Sequence, residues 1–279
     1  MRHGTDGIPP ETALSVVIPA YNEQNRIGMT LERVLAYLAG RGAPFEVIIV
    51  DDGSDDATAS VARAAAASDP RVRVVSLEKN RGKGMAVRRG VLEAVGEWVL
   101  FSDADLSTPI EEIESLAARL HEGCDVAIGS RSLRGARVDV RQPWYREAMG
   151  KTFNRIVRLL AVRGFVDTQC GFKCFTREAA HAIFRRARID RFAFDVEAIV
   201  IARRLGLRVV EVPIRWANEP NSRVAIVRDS ARMLVDLLRI RWYALAGAYG
   251  PARSEPGRPP GGVGSGPTGR GPTALSGRG

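Results

Sequence analysis

Two carboxylates one residue apart, Asp103-Ala104-Asp105, close an apolar run, WVLFS, at 98–102. Side chains at i and i+2 of an extended segment point the same way. A pair so placed can grip one hard cation, Mg²⁺ or Mn²⁺, through oxygen. Such a cation keeps open positions for diphosphate oxygens and neutralises the charge that develops on a departing nucleotide diphosphate. Taken out of its setting, the same pair reads equally as two solvated loop carboxylates. Its place at the end of a buried strand is what favours the metal.

Three further clusters carry the same kind of chemistry. In Val50-Asp51-Asp52-Gly53-Ser54 the carboxylates can accept from a ribose hydroxyl or a base N–H, and Gly53 permits close backbone approach or an unusual φ. Ser54 or Asp55 would also serve as the cap of a following helix. In Pro19-Ala20-Tyr21-Asn22-Glu23, Tyr21 can pack on a base and Glu23 can bind a hydroxyl or base edge. An ordinary strand-to-helix turn is the other reading of that segment. Asn80-Arg81-Gly82-Lys83-Gly84 sets a lysine between two glycines where a helix begins, so helix-start N–H groups and Lys83 make an anion site. The spacing is not that of a P-loop; a surface turn is the alternative.

These clusters need a frame. Short apolar runs at 14–20, 45–54, 72–77, 97–105 and 124–130 read as strands. Helical spacing fills 25–39, 56–67, 83–95 and 109–121. Alternation of this kind predicts an α/β fold: a mostly parallel, Rossmann-like sheet with helices on both faces. Ligands of such sheets sit at the carboxyl ends of the strands, where all four clusters and Ser130-Arg131 fall. Beyond 131 the pattern changes. Amphipathic helix is expected at 143–162, strand at 170–176, helices at 177–187 and 194–205, and strand at 207–214, as a small acceptor-side extension. A basic amphipathic helix is expected at 224–246. Residues 1–12 read as a flexible leader, 13–222 as the main domain, 223–249 as the basic helix with its end, and 250–279, rich in Gly, Pro and Ser, as a disordered tail.

The chain of 279 residues carries a formal charge of +9, of which +3 lies in 251–279. A basic surface suits nucleic acid, phosphorylated small molecules or an anionic membrane leaflet. Three cysteines, Cys124, Cys170 and Cys174, make no disulfide framework and fit a reducing compartment. Cys170 and Cys174 have the spacing of half a metal site but no partners nearby, so strand packing is the reading for them. No apolar window is long enough to span a bilayer, and 1–12 lacks the apolar stretch of a signal peptide. The expected location is cytoplasmic, peripheral on the cytoplasmic membrane face.

SVVIPAYNE, VIIVDDGSDD, NRGKGMAVRRG, WVLFSDADLSTP, AIGSR and DTQCGFKCFT occur in that order. Together they resemble the family 2 inverting glycosyltransferases of GT-A fold, over about residues 14–220, and within them the dolichyl-phosphate β-glucosyltransferases. VDDGS and DAD are widely shared in that superfamily; NRGKG with DADLSTP and DTQCGFKCF is more specific. The resemblance implies that Pro19, Tyr21 and Glu23 line the nucleotide pocket and that Asp51 binds the nucleoside with Asp52 close by. It implies Lys83 near the donor's phosphate or base, Asp103 and Asp105 on a metal–diphosphate, Arg131 on the lipid phosphate, and Gln169 with the CGFK turn around the sugar. Asp195 and Glu197 match a later acidic motif whose Asp acts as base in transferases with hydroxyl acceptors.

The expected reaction moves a hexose, glucose from UDP-glucose, to a polyprenyl or dolichyl phosphate with inversion. A phosphate acceptor is already an anionic nucleophile, so positioning and charge balance suffice. Arg131 would hold it through bidentate bonds, and Asp195 or Glu197 would position groups without serving as an essential base. The alternatives are a mannose synthase using GDP-mannose, a family 2 enzyme with a hydroxyl acceptor and Asp195 as base, a non-catalytic relative, and a basic nucleic-acid-binding module. Against the last, the acidic clusters sit where a groove would be. In 224–246, Arg228, Arg232, Arg239 and Arg241 accompany Leu234, Leu237, Leu238, Trp242 and Leu245, a composition that suits a membrane interface as well as a helix packed on the sheet.

Overall fold

The computed structural model describes residues 13–140, 150, 155–157, 162, 164–218 and 226–250. The expected leader at 1–12, most of the expected helix at 143–162 and the expected tail beyond Gly250 lie outside the described residues.

The first half alternates as its periodicity requires. β1 (Leu14–Ala20), α1 (Ile27–Gly40), β2 (Phe45–Asp51), α2 (Thr58–Ser68), β3 (Val72–Ser76), α3 (Lys83–Glu93) and β4 (Trp98–Ser102) follow one another. A single 3-10 turn (Ile110–Glu112) then leads into α4 (Ile113–His121) and β5 (Val126–Ser130). Every residue of β1 and β2 is buried, which is why these strands read as unbroken apolar runs: both faces of the sheet are covered. Val16 and Ile18 face one core with Leu31, Val34 and Leu116 of α1 and α4. Val17 faces the other, with Val87 and Val91 of α3.

After β5 come β6 (Arg137–Val140), β7 (Phe172–Thr176), α5 (Arg177–Phe184), α6 (Phe194–Arg204), β8 (Val209–Pro213), β9 (Arg215–Ala217) and α7 (Ile226–Leu245). The seven-stranded sheet runs β3-β2-β1-β4-β7-β5-β8, and β6 pairs with β9 in a separate parallel ribbon. All four residues of β6 are exposed. With no buried face, that strand leaves no mark in the hydrophobic pattern.

Two features place the functional residues. The strand order reverses between β1 and β4, which opens a crevice at their carboxyl ends. β7 is antiparallel to both of its neighbours, β4 and β5. Its first residues therefore arrive beside the last residues of β4, and Asp103 N–H donates to Gly171 O at 3.1 Å. The register sets Lys173 opposite Phe101 on one side and Ile128 on the other, in the middle of the sheet.

The three cysteines are free and buried. Burial pushes the thiols of Cys170 and Cys174 up to about 12. We expect no thiol to react with Ellman's reagent in the native protein and all three to react in guanidinium. Fast native labelling of Cys174 would mean that the sheet opens at β7. No helix among the described residues is long and apolar enough to cross a membrane.

Candidate active site

The turns after β1 and β2 are knitted together by short polar side chains. Asn22 N–H donates to Ser54 Oγ at 2.9 Å, Asp55 N–H to Asn22 Oδ1 at 2.9 Å, and Glu23 N–H to Thr58 Oγ1 at 2.6 Å. Glu23 pairs with Arg26 at 2.7 Å. Pro19 is buried within β1, opposite Val50. The ring of Tyr21 stands at the rim, its hydroxyl donating to Asp55 at 3.4 Å. Ser54 is spent on this knot and does not cap α2. The first turn of that helix is held by Asp56, which accepts from Thr58 N–H at 2.9 Å.

Asp51 and Asp52 divide their work. Asp51 ends β2 and accepts from Ser54 N–H at 3.1 Å. Asp52 is not open to a ligand as its position after the strand suggests. Its two oxygens accept from Asn80 Nδ2 at 3.0 Å and from Arg81 and Gly82 N–H, both at 2.8 Å. It is the peg on which the third cluster hangs. Burial raises its pKa against those bonds. Gly53 takes φ +66 with the Lys79–Asn80 backbone where a Cβ would stand, so the freedom expected of it serves the same loop.

That loop delivers Lys83 to the DAD segment. The ammonium of Lys83 lies 2.6 Å from Asp103 Oδ1 and 5.4 Å from the centre of the Phe101 ring. Burial alone would lower its pKa, but Asp103, Asp195 and Asp105 outweigh that and hold it above its usual value. Asp103 and Asp105 are not in an extended strand, as expected, but in the turn that follows β4. Their carboxylates nonetheless lie close enough for Asp103 to act on Asp105, with Ala104 buried between them. Asp105 accepts from Ser107 N–H at 2.9 Å. Burial first, and the neighbouring Asp103 second, push its pKa up. Any Cβ on Gly171 would collide with the Asp103 carboxylate, so the CGFK turn is shaped around that group.

Lys173, expected only as part of the CGFK turn around the sugar, and Asp167 and Glu211, for which no role was expected, support the turn. Lys173, fully buried, donates to Cys170 O at 2.5 Å and pairs with Asp195. Burial pushes Asp195 up while Lys173 and Lys83 pull against it. Asp167, also buried, takes the fork of Arg131: Nε at 2.7 Å and Nη2 at 2.9 Å, with Arg131 N–H at 3.0 Å. The bidentate grip expected to meet a phosphate is thus filled from within. Burial alone would raise Asp167, but Arg131 holds it below the usual range. Glu211 fixes that segment in turn, accepting from Val166 and Asp167 N–H at 2.8 Å each. Gln169 follows on the same segment, its side-chain amide 3.9 Å from Met233 Sδ of α7. Glu197 stands apart, buried beneath the 188–189 loop. The signal for Lys173 was a lysine inside an apolar strand, which has to find an anion.

The arrangement gathers Lys83, Asp103, Asp105, Lys173 and Asp195 at the carboxyl end of β4, with Asp51 and Tyr21 on one flank and Arg131 on the other. Among the described residues no cluster of three or more metal-ligating side chains occurs. Lys173→Met removes the cation from Asp195 without removing volume. We expect a loss of about 3–5 kcal/mol in urea unfolding, with much of it recovered in Lys173→Met/Asp195→Leu. A near-neutral single variant would mean that Asp195 is satisfied without Lys173.

The family model for glycosyl transferase family 2 matches residues 15–184. A dolichyl-phosphate beta-glucosyltransferase of Homo sapiens is 37% identical over 253 residues, covering 86% of this chain and 78% of that protein. One of Saccharomyces cerevisiae is 34% identical over 257 residues, covering 86% and 77%. Among solved structures, glucosyl-3-phosphoglycerate synthase from Mycobacterium tuberculosis in complex with Mn²⁺ and UDP-glucose superposes with a TM-score of 0.61 at 21% identity. That superposition covers 82% of this chain and 79% of the synthase. The likeness extends the GT-A fold to this sheet. With its fold, its family match and these relatives in agreement, the chain belongs to glycosyl transferase family 2 and is a glycosyltransferase.

Proposed function

We propose that this enzyme transfers glucose from UDP-glucose to a dolichyl or other polyprenyl phosphate with inversion. The reading is carried by the Lys83–Asp103–Asp105 group at the switch point of the sheet, taken with the substrates that the relatives' names state. Asp51 and Tyr21 would receive the nucleoside, and Lys83 would lie against the diphosphate. Asp103 and Asp105 suit Mg²⁺ or Mn²⁺: both are oxygen donors in one turn, and burial first, with the neighbouring Asp103 second, raises the pKa of Asp105. When bound, such an ion neutralises charge on the departing nucleotide diphosphate.

On the other flank, Arg131 would meet the acceptor phosphate as a fixed positive charge, since Asp167 holds its fork and Trp216 lies 5.4 Å beneath it. Asp195 is buried against Lys173 and not presented to the crevice, which favours an acceptor that needs no proton removed over a hydroxyl. Gln169 would border the sugar.

The membrane reading rests on α7. Met233, Leu237 and Ile240 turn inward onto the core. The opposite side exposes Leu234, Val235, Leu238, Trp242 and Leu245, the last three between 58% and 77% exposed. Arg232, Arg239 and Arg241 flank that ridge. An apolar ridge edged by arginines is the composition of a helix lying in an anionic interface.

With Mn²⁺ or Mg²⁺ and a short polyprenyl phosphate, mass spectrometry should find a hexosyl lipid from UDP-glucose. The product should fall by about 10²-fold or more in Asp105→Ala and vanish with EDTA. Product from GDP-mannose alone would transfer the enzyme to the mannose synthases. Product on a soluble sugar alone would refute the lipid acceptor. Separately, the protein should float with anionic vesicles at low salt, and Leu238→Asp/Trp242→Asp should stay at the bottom of the gradient. Equal flotation of the two would exclude α7 as the contact.

A further inference from the structure

Tyr249 lies just beyond the end of α7, yet it is completely buried. Its hydroxyl donates to Glu197 Oε1 at 2.7 Å. Glu197, buried in α6, also accepts from Arg188 N–H on Oε1 and from Ile189 N–H on Oε2, both at 2.9 Å. One carboxylate therefore joins the loop between α5 and α6 to the end of α7. The Tyr249 ring meets Tyr243 edge-on at 6.0 Å, and Arg188 covers the other ring at 5.4 Å.

The far side of that loop is the floor under α3. Met85 N–H donates to Asp190 O at 3.0 Å. Arg88 reaches Ala187 O at 2.7 Å and Asp190 Oδ1 at 3.1 Å. Gly82, at φ +111, and Gly84 lie so close to the carbonyls of Asp190 and Ile189 that a Cβ on either would come within 2.5 Å of them. Lys83 stands between these two glycines. Its backbone has no room to shift unless the loop shifts with it, and its ammonium is the one paired with Asp103.

We propose that Glu197 and Tyr249 are positioning residues for glycosyl transfer, holding the 187–191 loop against the start of α3 and so fixing Lys83 over Asp103. The effect on catalysis rests on the donor reading of the site given above. Neither residue touches the crevice; both act through the loop. A carboxylate with three donors and a tyrosine anchored to it form a dry contact that opens only as a unit.

Tyr249→Phe removes one donor and leaves the two backbone bonds. Glu197→Gln replaces one acceptor oxygen by N–H₂, which faces a loop N–H whichever way the amide turns. The full chain with Mn²⁺ would be titrated with UDP calorimetrically. The dissociation constant, and the KM for UDP-glucose, should rise about three- to tenfold in Tyr249→Phe and further in Glu197→Gln. The turnover at saturating donor should stay within about twofold. Ile113→Val, in the opposite core, should lose comparable stability with UDP affinity unchanged. Hydrogen exchange at Met85 N–H, measured without nucleotide, should accelerate in Tyr249→Phe and not in Ile113→Val. Wild-type affinity in both latch variants, or a loss no different from that of Ile113→Val, overturns the role in donor binding. Unchanged exchange at Met85 overturns the latch itself. Should the wild type fail to bind UDP, the donor reading falls, and the exchange result still decides the mechanical link.

Discussion

The ion pair between Lys83 and Asp103 is the contact around which the carboxyl end of the sheet is organised. It joins two segments twenty residues apart in the chain, the start of α3 and the turn after β4, and each is held in place by other means. Asp52 and the 187–191 loop fix the first; Gly171 and the reversed strand β7 fix the second. A pair that is a quarter to a third exposed adds little stability by itself. Its importance is geometric. Three carboxylates, those of Asp103, Asp105 and Asp195, converge on one strand end, and such a convergence is tolerable only with cations between them.

The two lysines meet that requirement differently. Lys173 comes from within the sheet and is consumed by Asp195, leaving nothing for a ligand. Lys83 comes from the rim and still faces solvent in part. The inner pair is structural and the outer one is free to exchange partners. A diphosphate approaching Asp103 and Asp105 would meet a lysine already held at the right height, which lowers the reorganisation that binding demands. On the other flank the same economy recurs, since Arg131 arrives with its orientation set by Asp167 and Glu211.

The first half of the fold was legible because burial on both faces leaves long apolar runs, and the clusters then fall at strand ends by necessity. The direction of β7 was not legible, since a five-residue apolar run has the same composition whichever way it points. Of the site residues, Asp103, Asp105 and Lys83 stand together as their motifs require. Asp52 and Arg131 were read as ligand groups and prove to be occupied within the protein. In each case the motif marks a charged residue at a strand end but cannot say whether a backbone loop or a buried carboxylate reaches it first. Asp167 opens a motif but had no partner to read, and Glu211 and Tyr249 carried no signal, because their partners lie 36 to 52 residues away. The ribbon of β6 and β9 escaped for the opposite reason: β6 is exposed throughout and β9 is three residues long and at most half-buried, so neither imposes a period.

The reversed strand also bears on how the polypeptide is made. β4 and β5 are consecutive in the chain's main sheet, yet β7, encoded more than forty residues after β5, must lie between them. A nascent chain ending near residue 130 holds both flanking strands without the one that separates them. Consecutive strands tend to pair directly, so the emerging amino-terminal half carries two open edges whose nearest match is the wrong one. Vectorial synthesis therefore cannot lock the sheet strand by strand. The turn after β4 sets only when residues 170–176 have left the ribosome, and until then the unpaired edge of β4 is the segment most in need of a chaperone.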